Sequence, residues 1–278
     1  MTSVPLACTV RDCGQPLARE RGQFACPSGH AYDIARSGYL NLLQPQDRRS
    51  REAGDAKEVV QARAAVIAAG VGRALFTRVA EIAAPGLTSD AVVVDLGSGT
   101  GDALSALAGQ VRIAGVGIDL SPAAADFAAK RFPNLCWVVA NADRRLPLVD
   151  QSVNMALSLH GRRNAGECAR VLRTAGRLIA AVPAADDLAE IRTALYGRAD
   201  ERSRGPGVLA DFEPAFVLED QLVVRDRLTL SPEVLRALLR VTYRGARTSA
   251  AARVSALPSL EVTVSSEVFV FSLRPVAC

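Results

Sequence analysis

The chain has 278 residues, 49% of them apolar and 22% charged, which supports a sizeable core and excludes a disordered chain. The net charge of +4 permits an acidic partner without demanding one, and the excess of Arg over Lys (31 to 2) is what a GC-rich genome produces. No segment supplies the ~20 uninterrupted apolar residues of a membrane span. The N-terminus MTSVPLACTVRDC lacks a basic region followed by an apolar one, so a cytoplasmic protein is expected. In that reducing compartment, six cysteines do not read as a disulfide framework.

Residues 1–36 are rich in Cys, Gly, Pro and Arg and have no apolar run long enough for a core of their own. Cys8, Cys13, Cys26 and His30 follow C-x4-C-x12-C-x3-H, two ligand pairs separated by a loop, as a tetrahedral zinc site requires. Each pair sits on turn residues, Cys13-Gly14 and Cys26-Pro-Ser-Gly-His30. Four protein ligands make this a structural zinc, the alternative being scattered cysteines and a chance histidine. Cys136, Cys168 and Cys278 read as buried or incidental thiols.

Residues 37–84 form a basic connector and helices. Tyr39, Leu40, Leu42 and Leu43 anchor it, and a helical stretch from Ala56 to Ala84 breaks near Gly70–Gly72. Val59, Val60, Ala64, Ile67 and Ala68 are its expected apolar face. From residue 85 to the C-terminus, strands alternate with helices. Strands are expected at Val92–Leu96, Ile113–Leu120, Cys136–Ala140, Val153–Leu159 and Leu178–Val182. Helices fall at Asp102–Ala108, Pro122–Arg131, Gly166–Arg173 and Asp187–Tyr196. Such alternation implies an α/β domain with a parallel sheet covered on both faces. Residues 197–210 read as a loop, followed by Phe216–Val224, a helix Pro232–Arg240, and Val262–Leu273.

The run VVVDLGSGTG ends a strand in a loop with Gly97, Gly99 and Gly101, which lets backbone approach a ligand closely. It is neither G-x-G-x-x-G nor a P-loop. Asp95 puts a carboxylate beside the loop, suited to an ammonium. Asp119 ends the next strand, where it can accept both ribose hydroxyls, and Asp143 follows the third strand, within reach of an adenine amino group. Three acids at consecutive strand ends describe an S-adenosylmethionine pocket, with Thr100, Leu120 and Ala142 as neighbouring contacts. Taken singly, each acid reads equally as a helix cap or turn residue.

The zinc ligands with HAYDIARSGYLNLL, the connector QDRRSREAGDAKEVVQARAAVIAAG and the motif VVVDLGSGTGD resemble the bacterial 23S rRNA guanine-N1 methyltransferases. That family includes a housekeeping enzyme and relatives that protect producers of macrolides. The resemblance implies a class I S-adenosylmethionine-dependent methyltransferase fold (Rossmann-like) with an N-terminal zinc-ribbon-like RNA-recognition module, usually a homodimer. It also implies methyl transfer to N1 of a guanine in a 23S rRNA hairpin, the base being turned out of its stack. Arg48, Arg49 and Arg51 on the connector become candidate RNA contacts. Arg236, Arg240, Arg244, Arg247 and Arg253 lie in an acid-free stretch that reads equally as a solvated face.

The chain departs from the family's pattern in three places. His160-Gly161-Arg162 stands where an aromatic, Ala or Ser, then Pro is common, Gly72 where an aromatic covers the cofactor, and Asp187 where a histidine lies near the methionine end. His160 and Arg162 are the catalytic candidates, the histidine accepting the N1 proton or stacking on the ring, with an ionisation expected near ~6.5. Against this stands a strand-capping His160 with a solvated Arg162. Two further functions remain open: a methyltransferase acting on another RNA nucleotide or a small natural product, and a non-catalytic zinc-dependent RNA-binding protein.

Overall fold

The computed structural model describes residues 4–47, 54–197, 203–242 and 257–275. A small antiparallel sheet comprises β1 (Ala18–Glu20), β2 (Gln23–Ala25) and β3 (Ala31–Asp33). Next come β4 (Leu40–Asn41), then α1 (Lys57–Ala68) and α2 (Arg73–Ala83), which break at Gly70–Gly72 as the sequence indicates. The alternating region runs β5 (Ala91–Leu96), α3 (Asp102–Ala108), β6 (Ile113–Asp119), α4 (Pro122–Arg131), β7 (Cys136–Val139) and β8 (Val153–Leu159). It continues through α5 (Ala165–Val171), β9 (Leu172–Pro183), α6 (Ala189–Tyr196) and α7 (Gly205–Phe212). The chain closes with β10 (Phe216–Leu230), α8 (Pro232–Thr242) and β11 (Leu260–Leu273).

The large sheet has the order β10-β11-β9-β8-β5-β6-β7-β4. β4 through β9 pair in parallel, whereas β11 pairs antiparallel with both β9 and β10, so the sheet is mostly parallel, as expected, with an antiparallel pair at one edge. All six residues of β5 are buried, as a central strand covered on both faces must be. One face packs on α2, α3 and α4 around Leu75, Leu104, Leu107 and Trp137. On the other face, α5 and α7 contribute Cys168, Val171, Val208 and Phe212. Leu6, Leu17 and Tyr32 of the N-terminal segment join that second core, so the cysteine-rich segment borrows apolar packing from the sheet. Helices α1, α6 and α8 gather around Val66, Ile191, Leu195, Leu235 and Leu239 at the β10–β11 end.

Local chemistry sets the helix starts. Ser121 caps α4 by accepting from the Ala124 amide with Pro122 in the first turn, and Asn164 caps α5. Three expectations need correction. The expected loop 197–210 includes α7, because Pro206 suits a first helical turn and Val208 and Phe212 bury one helical turn apart. β9 and β10 run to 12 and 15 residues, well past the apolar runs that mark them. Beyond those runs β10 alternates exposed and half-buried positions, so its polar half carries little apolar signal. On α1 the buried positions are Val60, Ala62 and Val66, while Ala68 is exposed. No single helix among the described residues is long and apolar enough to cross a membrane.

Candidate zinc ribbon and cofactor pocket

The four N-terminal ligand candidates converge. One donor atom from each of Cys8, Cys13, Cys26 and His30 lies within 4.8 Å of all the others. Cys13 Sγ and Cys26 Sγ are 3.8 Å apart, and His30 Nδ1 is 3.5 Å from Cys8 Sγ and 3.4 Å from Cys26 Sγ. Zinc–sulfur bonds of ~2.3 Å in a tetrahedron put the sulfurs roughly 3.8 Å apart, so the donor set fits zinc. The Tyr32 hydroxyl lies 3.1 Å from Cys8 Sγ and accepts the Thr9 amide, which fixes the outer side of the site. The remaining described cysteines are apart from it. Burial pushes the Cys136 and Cys168 thiols up to about 12, which leaves them inert.

The second site is a cavity of about 630 Å³ at the C-terminal ends of β5, β6 and β8, where the strand order reverses. Asp95 lies at its floor, only 3% exposed. Burial, reinforced by the neighbouring Asp119, pushes its carboxyl up to about 7. Gly97, Gly99, Thr100, Leu120 and Ala142 line the cavity as expected. Gly101 lies in the turn itself, at φ 84°, and a Cβ there would meet the Trp137 ring at 2.4 Å. This position admits only glycine.

Asp119 lines the cavity at the end of β6, as expected, and has a structural role besides. Its two carboxylate oxygens accept the backbone N–H groups of Gly99 and Ser121, so it also ties the glycine loop to the start of α4. Burial raises its pKa, while those N–H groups and the Arg63 guanidinium oppose the rise. Asp143 is corrected. It is exposed, pairs with Arg162 at 3.5 Å, and is not among the cavity-lining residues; Asn141 and Ala142 line that end instead.

The loop after β8 passes directly over the glycine loop. A Cβ on Gly161 would lie 2.1 Å from the Leu96 carbonyl oxygen, so only glycine permits this crossing. Ser158 Oγ donates to the Arg162 carbonyl, and the His160 amide donates to Ala181. His160 holds φ at 53°, an uncommon value for a residue with a side chain, and its Nε2 lies 2.9 Å from the buried Ser266 hydroxyl. Both His160 and Arg162 line the cavity. Desolvation of the imidazole, with the Arg204 and Arg63 charges adding to it, pushes the His160 pKa down to about 4. The expected ionisation near 6.5 is thereby corrected, and the imidazole is neutral at pH 7.

Several lining residues escaped the sequence reading. Arg63 on α1 lies against Gly99 and pairs with Asp55 at 2.8 Å. Phe76 on α2 lines the cavity, and its ring lies 3.3 Å from where a Gly72 Cβ would be, so an aromatic is supplied one turn later. Asp187 accepts the Ser265 amide and is not a lining residue. Arg48, Arg49, Arg51, Arg244, Arg247 and Arg253 lie outside the described residues, as does Cys278. Arg236 pairs with Glu233, and Arg240 is exposed.

The fold and the two sites define a class I S-adenosylmethionine-dependent methyltransferase with an N-terminal zinc ribbon. Residues 7–51 match the zinc-ribbon family described as RlmA, N-terminal, and residues 93–180 match the family described as Methyltransferase domain. The chain is 34% identical to the 23S rRNA (guanine(748)-N(1))-methyltransferase of Streptomyces fradiae, covering 91% of this chain and 92% of the relative. It is also 34% identical to a Micromonospora griseorubida protein provisionally named as a 23S rRNA (guanine-N(1)-)-methyltransferase, over 98% and 97% of the two chains. A similarly named Bacillus subtilis protein is 31% identical over 84% of each. The chain belongs to the 23S rRNA guanine-N1 methyltransferase family.

Proposed function

We propose that the protein transfers the methyl group of S-adenosylmethionine to N1 of a guanine in a 23S rRNA hairpin, acting in the cytoplasm as a homodimer. The observation that carries this reading is the 34% identity spread over nearly the whole chain, zinc ribbon included, to relatives named for that reaction. A small-molecule methyltransferase has no evident use for the ribbon. Antibiotic protection is one physiological setting for this reaction and housekeeping modification of the ribosome the other.

When bound, S-adenosylmethionine supplies an electrophilic methyl on a sulfonium. Asp95 receives its ammonium, the backbone of Gly97, Gly99, Thr100 and Gly101 cradles the methionine portion, and Asp119 accepts from the ribose. Leu120, Asn141 and Ala142 bound the adenine end, with Phe76 covering the opposite side. His160 and Arg162, at the cavity mouth, hold the target ring. With a pKa near 4, His160 is a neutral hydrogen-bond acceptor and stacking surface at pH 7. Its contribution is therefore alignment of N1 with the methyl, and the N1 proton passes on to water. Cys8, Cys13, Cys26 and His30 hold a structural zinc, and residues 1–36, 37–84 and 85–278 divide the chain into ribbon, connector and catalytic domain. Arg48, Arg49 and Arg51 on the connector contact RNA.

The test is methyl transfer from labelled S-adenosylmethionine to a 23S rRNA transcript, with nucleoside digestion locating the methyl. N1-methylguanosine is the expected product. Methylation at another nucleoside, or none, overturns the reading.

A further inference from the structure

The loop between β7 and β8 runs from the cavity to the ribbon, and it carries two adjacent exposed arginines, Arg144 and Arg145. At the cavity mouth, Arg162 pairs with Asp143. The next two residues, Arg144 and Arg145, are exposed and line a second groove of about 380 Å³ together with Arg11, Cys13 and Gln46 of the ribbon side. The guanidinium of Arg145 lies over Gly14, 3.3 Å from the position of a Cβ there, so the catalytic domain reaches the knuckle of the ribbon.

The loop is held in place from both sides. Asn164 donates to the carbonyls of Ala142 and Arg144, and Glu167 accepts the Leu146 amide. The Ala7 amide donates to Pro147, and Leu6 bridges Leu148. Arg11 and Arg144 form no ion pair with the described residues. Arg145 lies 3.6 Å from Asp150, a carboxylate that is closer to Arg170, at 2.5 Å. Asp12 is the acid that lines the groove itself.

We propose that Arg144, Arg145 and Arg11 form a cationic track that holds the RNA backbone flanking the target nucleotide, running from Arg162 at the cofactor pocket to the zinc ribbon. The proposal rests on the RNA methyltransferase reading and assigns that substrate its path. Guanidinium groups bind phosphate bidentately, and a loop fixed in advance does so without being ordered by the ligand. A zinc held by Cys8, Cys13, Cys26 and His30 would fix the knuckle that presents Arg11 and supports Arg145.

The test uses the zinc-loaded full chain, an in vitro transcribed 23S rRNA hairpin and an unrelated hairpin of equal length. The double variant Arg144→Gln/Arg145→Gln should bind both hairpins about tenfold more weakly. The slope of log affinity against log salt should become shallower by about two, because phosphate contacts are independent of sequence. Zinc content and S-adenosylmethionine affinity should match wild type, and Arg78→Gln/Arg112→Gln, with the same charge loss on other surfaces, should bind RNA as wild type does. Unchanged affinity and salt slope in the double variant, or a loss confined to the target hairpin, overturns the track. Failure of the wild-type protein to bind either hairpin overturns the functional reading itself, and the track with it.

Discussion

Asp95 is a buried carboxyl in the cavity whose ionisation works against the fold. Its folded-state pKa of about 7 lies above the ordinary 3.8, so the folded protein is penalised as this carboxyl ionises. That rise corresponds to on the order of 4 kcal/mol, fully absent below pH ~4 and fully exerted above pH ~7. The cofactor-free protein should therefore lose stability between pH 4 and 7 relative to Asp95→Asn, as thermal unfolding of the two across that range would reveal. Parallel curves would contradict the buried acid. An ammonium at Asp95 favours the ionised form, so S-adenosylmethionine should bind more tightly as pH rises toward 7 and lose that dependence in Asp95→Asn. At His160 the sign is opposite in kind: a depressed histidine pKa keeps the ring neutral down to about pH 4. Turnover should show no histidine-like fall near pH 6.5. His160→Phe should keep RNA affinity and lower kcat on the order of tenfold, one hydrogen bond's worth. A titration at pH 6.5 that the Phe variant abolishes would restore the histidine as general base.

At the scale of elements, the loop 160–162 and the glycine loop form one structure. Gly161→Ala would drive a methyl into the Leu96 carbonyl, so the loop must lift off the pocket. The variant should unfold with a loss of roughly 1–3 kcal/mol and transfer methyl far more slowly, measured by denaturation and by single-turnover transfer. Wild-type stability would mean the loop has room that the crossing denies. The central strands were legible because each is a short, largely buried and mostly apolar run: β8 falls on Val153–Leu159 as expected, and α4 on Pro122–Arg131. The three-acid pattern found the cavity because strand ends converge at the switch point. Asp143 was misplaced because the chain has turned outward by the fourth residue past β7, while Asn141 and Ala142 still line the cavity. Arg63 and Phe76 were missed because they enter the site from helices preceding the sheet, where a charged or aromatic residue at helical spacing carries no mark of its target. The 15-residue β10 was shortened for a related reason, its far half being half exposed and polar.

For the whole molecule, the ribbon and the catalytic domain share one core. The cysteine spacing alone suggests a module that unfolds by itself when a ligand is lost. Leu6, Leu17 and Tyr32 instead pack into the sheet's core, and β4 adds a strand to its edge beside β7. Zinc removal should therefore lower the melting temperature of the entire protein, and His30→Ala should do the same with zinc released. Calorimetry with and without chelator reads this directly; an unshifted main transition would return the ribbon to independence.

The central claim is that this chain methylates N1 of a guanine in 23S rRNA. Nucleoside mass spectrometry on 23S rRNA, from cells carrying the gene and from cells lacking it, tests that most directly. The account predicts N1-methylguanosine in a 23S rRNA hairpin fragment only when the gene is present, and its loss in a Gly161→Ala strain. Identical modification patterns with and without the gene would contradict it.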